Sequence, residues 1–186
     1  MSVIVIAFTT LDGVVSDPDG SAGTPEGGWM FRFGREEIDG DKFRIGSTLE
    51  KGVLLQGRGT WQQFSNLWPH REGPFAAQMN AVPKLVATRT LTDTSAWANS
   101  RPLDGDLVDA VKREDREVVV MGSLGIVRQL MAEDLVDEYR LMTFPTVLGA
   151  GQRIFPADGL HTDLECVSAE QVGALVLTRY HRAAAR

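Results

Sequence analysis

The sequence predicts an α/β protein with a mixed, mostly parallel sheet and antiparallel strands at its C-terminal end. Three observations carry this expectation. Short Val/Ile/Leu runs alternate with helical patterns through the first two thirds of the chain, as a parallel sheet covered by helices requires. The last third reads strand after strand, which fits an antiparallel edge. Two apolar strands run straight into glycine and then into a helix, at Gly57-Arg58-Gly59-Thr60 and Gly122-Ser123-Leu124-Gly125.

Residues 2–8, rich in Val and Ile, form the opening strand. Residues 9–28 are dense in Gly, Asp, Pro and Ser and form a long loop. The apolar series Ile38, Phe43, Ile45 and Leu49 predicts a helix over roughly 35–50, which Gly40 and Gly46 weaken. Val53–Gln56 is a second strand, and the glycine turn after it opens a helix to about Phe64. A loop over 65–73, a helix near 74–80 and a strand at Lys84–Thr88 follow. Residues 90–101 are irregular, with a short strand around Trp97. Asp104 is the expected N-cap of a helix over about 105–113. Next come a strand at 118–121, a helix at 123–132 and an alternating strand at 136–142. After a Pro145–Gly151 turn, two more strands occupy roughly 162–169 and 173–181. The expectation is one domain over 1–186.

Composition narrows the function classes. The apolar fraction is 43% and the charged fraction 24%, the balance of a globular protein. The net charge of −6, without a Lys/Arg run, argues against nucleic acid or a membrane surface as partner. It leaves room for an anionic small molecule held by a few arginines. Cys166 is the single cysteine, so no internal disulfide forms and a reducing, cytoplasmic setting is expected. Cys166 lies in an alternating segment and reads as a small buried hydrophobe. His70, His161 and His181 lack ligand spacing, so no metal is expected. The apolar N-terminus is too short for a signal peptide or a membrane span.

The loops after the strands at 53–56, 84–88 and 118–121 carry small or basic residues. In an open parallel sheet, ligands bind beyond the carboxyl ends of strands. Two of these loops start helices, whose N-termini suit phosphate oxygens. Arg58 and Arg89 suit a further phosphate by bidentate hydrogen bonds. A dinucleotide with an extra phosphate matches this set. The competing reading makes these tight turns and surface arginines of no special function. Trp29, Phe31 and Phe33, with Phe144 at a strand end, suit a flat ring; Trp61 reads as core.

In their order along the chain, several motifs resemble the dihydrofolate reductase superfamily. They are Thr10-Leu11-Asp12-Gly13-Val14, Leu55-Gln56-Gly57-Arg58-Gly59-Thr60-Trp61, Val120-Met121-Gly122-Ser123, Leu135-Val136-Asp137-Glu138-Tyr139-Arg140-Leu141, and Pro145-Thr146-Val147-Leu148-Gly149-Ala150-Gly151 followed by Phe155. The likeness is greatest to the branch containing the reductase domain of bacterial riboflavin biosynthesis. It implies a three-layer α/β/α fold, NADPH as hydride donor, and a pterin-like, flavin-precursor-like or carbonyl substrate. By the same resemblance, Arg58, Thr60, Thr88 and Arg89 face the adenosine side with its 2′-phosphate, and Gly57 is a further cofactor contact. Gly122, Ser123, Leu124 and Gly125 cover the pyrophosphate and nicotinamide side. Ala7, Asp12 and Val14 border the nicotinamide, and residues 16–28 form a mobile lid. Trp29, Phe33 and Phe144 are the expected substrate contacts. Asp41 sits near the place of the carboxylate that dihydrofolate reductases use, with Glu36 and Glu37 as rivals. Family members commonly form homodimers. A nucleotide- or flavin-binding protein without turnover is the alternative.

Overall fold

The computed structural model describes residues 1–157 and 161–183. Eight strands form one sheet: β1 Val3–Thr10, β2 Val53–Gly57, β3 Lys84–Ala87, β4 Ser100–Pro102, β5 Val118–Met121, β6 Glu138–Phe144, β7 Leu164–Val172 and β8 Leu175–Arg182. Their order is β4-β3-β2-β5-β1-β6-β8-β7. The β2–β3, β2–β5 and β3–β4 pairs are parallel, and the β6–β8 and β7–β8 pairs antiparallel. The mixed sheet is thus as predicted, with its antiparallel part at the C-terminal end. The helices are α1 Gly46–Leu49, α2 Arg58–Ser65, α3 Pro74–Ala81, α4 Leu107–Arg113 and α5 Leu124–Ala132. Among the described residues, no helix is long and apolar enough to cross a membrane.

Packing divides the chain into two compact units. The first comprises residues 1–5 and 44–136. Its strands β2 and β5 are buried on both faces: Val53, Leu54, Leu55, Val118, Val119 and Val120 are at most 1% exposed. Continuous apolar runs of this kind mark interior parallel strands. Each such side chain contributes about 1.5–3 kcal/mol by leaving water. One charged group enters this core. The Lys84 ammonium donates to the carbonyls of Asn80, Val82 and Ala98 at 2.8–3.1 Å and lies 4.3 Å from the Trp97 ring centre. Burial pushes its pKa down to about 8.

The second unit comprises residues 6–43 and the described part of 137–186. Phe8, Trp29, Phe33, Phe43 and Phe144 form its aromatic core, with ring centres 5.0–5.8 Å apart. Beside them an ion cluster spans β6 and β8, with Glu138 and Arg140 buried and Arg179 half-buried. The Glu138 Oε1 accepts from Arg140 Nε at 2.6 Å and from Arg179 Nε at 2.9 Å. Arg140 also donates to the Phe43 carbonyl at 3.0 Å, tying the end of the 6–43 segment to β6. Burial alone would raise the Glu138 pKa, but these two guanidinium partners hold it below the ordinary value.

Several local expectations need correction. No helix spans 35–50. The stretch has one 3-10 turn, Arg35–Glu37, then irregular chain, then the short α1; a further 3-10 turn, Trp29–Phe33, precedes it. The helical path is broken where Gly40 and Arg44 adopt left-handed backbone, at φ 75° and 57°. The cap of α4 is Asp106, not Asp104: its carboxylate accepts from the Val108 and Asp109 N–H groups. The short strand lies at Ser100–Pro102 rather than around Trp97. The strand expected at 136–142 runs from Glu138 to Phe144 as β6, interior between β1 and β8, and β7 forms the edge at that end of the sheet. Cys166, on β7, is exposed rather than buried, because that strand is largely exposed along its length.

Candidate functional site

In the first unit, α2 starts directly at the end of β2, and two residues, Gly122 and Ser123, separate β5 from α5. Gly57 pairs in register with Ala87, so Arg58 and Thr88 leave the sheet side by side. Arg58 Nη1 donates to Thr90 Oγ1 at 2.9 Å, which ties the start of α2 to the loop after β3. The Thr88 hydroxyl accepts from the Thr90 and Leu91 N–H groups and shapes the turn that carries Arg89. The loop after β5 joins the same set. Ser123 Oγ accepts from the Gly57 N–H at 2.8 Å and donates to Thr60 Oγ1 at 2.8 Å. Gly57, Arg58, Thr60, Thr88, Arg89, Gly122 and Ser123 therefore gather at the carboxyl ends of three adjacent parallel strands, with Leu124 and Gly125 opening α5.

The gathering has the character of an anion cradle. A helix leaves its first N–H groups without partners inside the helix. Neither α2 nor α5 has a side-chain cap on these groups, whereas α4 is capped by Asp106. A Cβ added at Gly59 or Gly125 would meet nothing within 4 Å. Arg58, Gly59, Arg89, Gly122 and Gly125 are exposed. Exposed guanidinium groups beside two uncapped helix starts suit phosphate oxygens. Gly122 has φ 69°, a left-handed turn that suits glycine.

The second unit holds the other candidates. Asp12 is a strut. Its carboxylate accepts from the Thr10 hydroxyl at 2.6 Å, the Gly149 N–H at 2.9 Å and the Leu148 N–H at 3.3 Å. These bonds, the Thr10 one foremost, lower its pKa to about 2. Arg153 Nε donates to the Asp12 carbonyl, and Val14 forms an isolated antiparallel bridge with Arg153. The turn after β1 is thereby pinned to the loop after β6. Val14 is buried and Ala7 half-buried.

Trp29 and Phe144 are fully buried, and the Trp29 indole N–H donates to the Ser16 carbonyl at 3.0 Å. Both are core side chains in this conformation, while Phe33 is half-buried at the margin of the cluster. Asp41 is half-buried on irregular chain rather than on a helix. The loop over 16–28 is braced from within: the Asp17 carboxylate accepts from the Ala22 N–H, the Thr24 N–H and the Thr24 hydroxyl at 2.7–2.8 Å.

Sequence reasoning assigned no role to Thr90, Thr10 or Arg153. Thr10 had a local signal, since a threonine two residues before an aspartate in a glycine turn can bond its carboxylate. Thr90 and Arg153 act across the fold and had none. Gln56 was also missed. It is fully buried one residue before Gly57, and neither its amide oxygen nor its amide nitrogen has a hydrogen-bond partner among the described residues.

Solved structures agree on the fold. A Shewanella sp. PV-4 protein described as a riboflavin biosynthesis protein matches with TM-score 0.75 at 22% identity, over 99% of this chain and 100% of that one. A Thermotoga maritima diaminohydroxyphosphoribosylaminopyrimidine deaminase/5-amino-6-(5-phosphoribosylamino)uracil reductase matches with TM-score 0.66 at 15% identity, over 98% of this chain and 56% of that one. A pyrimidine reductase-like protein from Corynebacterium diphtheriae matches with TM-score 0.58 at 12% identity, over 99% and 92% of the two chains. No curated protein matches significantly in sequence. The family model of the RibD C-terminal domain matches residues 1–178. The chain belongs to the RibD C-terminal domain family.

Proposed function

We propose that this protein is an NADPH-dependent reductase acting on a small heterocyclic substrate of pyrimidine, pterin or flavin-precursor type, or on a carbonyl compound. The observation that carries the reading is the pair of uncapped helix starts tied together through Ser123, with Arg58 and Arg89 beside them. The N–H groups at the starts of α2 and α5 would hold the pyrophosphate. Arg58, Arg89, Thr60 and Thr88 would hold the adenosine end, its 2′-phosphate favouring NADPH over NADH. The nicotinamide supplies hydride when bound, and the protein's part is to hold the reactants in line and keep water out. Asp12, kept ionised by its donors, is a poor acid at neutral pH. Asp41 is the candidate proton donor, and half-buried Phe33 the candidate aromatic contact for the substrate.

Steady-state NADPH oxidation against aminopyrimidines, pterins, flavins and dicarbonyls tests the reading. Oxidation dependent on one of these classes supports it. Tight NADPH binding with no oxidation by any of them favours a non-catalytic nucleotide-binding protein instead. We also propose a homodimer. Strand β7 is a nine-residue edge that is mostly exposed, with Val167 45% exposed, and such edges are usually covered. A sedimentation mass of one chain would remove this part.

A further inference from the structure

The Ser123 hydroxyl bonds across the fold rather than to its own helix. A serine at an N-cap ordinarily accepts a hydrogen bond from the second or third N–H of the helix it starts. Ser123 occupies the N-cap of α5 and makes no such bond. Its hydroxyl reaches the junction of β2 and α2, accepting from Gly57 N–H and donating to Thr60 Oγ1. It does so from a left-handed backbone, φ 59° and ψ 59°, which disfavours any residue with a Cβ. Glycine would fit this backbone with less strain, so the conformation speaks for the hydroxyl rather than for the turn.

Two consequences follow. The first two N–H groups of α5, those of Leu124 and Gly125, keep no side-chain cap and stay open to an external anion, while the Ile126 N–H donates to the Ser123 carbonyl at 2.8 Å. The start of α2 is also held at one separation from the start of α5, because Gly57 is the N-cap of α2 and Thr60 lies in its first turn. The approach is close: a Cβ at Gly57 would sit 3.3 Å from Ser123 Oγ.

We infer that Ser123 is a positioning residue. It acts through Gly57 and Thr60 to set the spacing of the two helix starts, and its side chain is not a phosphate ligand. The inference rests on the proposed NADPH reading and assigns this residue a role within that site.

Three measurements on wild type, Ser123→Ala and Ser123→Gly test it: NADPH affinity, thermal midpoint and exchange of the Gly57 amide proton. Alanine keeps the strained Cβ and loses the hydroxyl. Glycine loses the hydroxyl and relieves the strain. Both variants are expected to weaken NADPH binding about fivefold to twentyfold, the range for one or two lost hydrogen bonds. Both should speed Gly57 exchange without any cofactor present. Their midpoints should part, with glycine melting above alanine. A role in stability alone would make affinity follow the midpoint, leaving Ser123→Gly close to wild type in binding. That outcome, or an unchanged Gly57 exchange rate, overturns the inference and leaves the proposed function standing. Failure of folded wild type to bind NADPH overturns both.

Discussion

Replacing Gly122 by alanine should damage the fold and the site together, by amounts that follow from two distances and an angle. Gly122 sits at φ 69°, where a Cβ costs roughly 1–2 kcal/mol. The added carbon would also lie 3.0 Å from Thr60 Cγ2 and 3.4 Å from Thr60 Oγ1. Carbon pairs pack best at about 3.5–4.0 Å, so one side must give way, at a further cost of about 1 kcal/mol. The sum is about 2–3 kcal/mol. For a chain of this size, each kcal/mol moves the thermal midpoint by about 2–4 °C. Gly122→Ala should therefore melt about 4–12 °C below wild type in a calorimetric scan. Thr60 would be displaced from Ser123, so NADPH affinity should fall about fivefold, one hydrogen bond's worth. Adding Thr60→Ser removes the clashing methyl and leaves the backbone strain. The double variant should recover about a third to a half of the lost midpoint, measured against Thr60→Ser alone. A midpoint for Gly122→Ala within 1–2 °C of wild type, about the width of one small contact, would refute both the left-handed turn and its neighbour.

Other expectations follow from the same structure. Gln56→Met keeps the side-chain volume and removes two buried polar atoms without partners, so it should stabilise by about 1 kcal/mol and raise the midpoint by about 2–4 °C; a loss of stability would mean that the amide is satisfied. Lys84→Met strips a charged donor from three buried carbonyls and should cost about 2–4 kcal/mol by urea unfolding; an unchanged unfolding midpoint would show that the carbonyls do not need it. The Asp12 carboxylate has a lowered pKa, so its contribution is complete above the ordinary value of 3.8 and disappears as pH falls through about 2. The midpoint gap between wild type and Asp12→Asn should stay level above about pH 4 and close towards pH 2. A gap that persists unchanged in acid would contradict the strut.

What could be read in the sequence was local. Strands β2 and β5 announced themselves as apolar runs ending on glycine, and the helices after them followed from that punctuation. The loops that gather in the first unit were legible for this reason. The helix expected over 35–50 failed because Ile38, Phe43, Ile45 and Leu49 have helical spacing without a helix. The left-handed residues Gly40 and Arg44 break the path, so Ile45 and Leu49 share the single turn of α1 while Phe43 is buried ahead of it. Asp104 and Asp106 flank Gly105 and look alike in sequence, but only Asp106 has N–H groups two and three residues ahead turned towards it. Cys166 was misplaced because alternation does not say whether a strand has a covering layer. The Ser123 bridge joins residues 66 and 63 positions apart, and nothing in a linear pattern records such a pairing.

The most direct measurement is a calorimetric titration of NADPH and NADH into folded wild type and into an Arg58→Ala, Arg89→Ala double variant. Saturable binding of one NADPH per chain is expected, with the double variant losing far more affinity for NADPH than for NADH. Absence of NADPH binding by folded wild type, or binding indifferent to both arginines, would contradict the account.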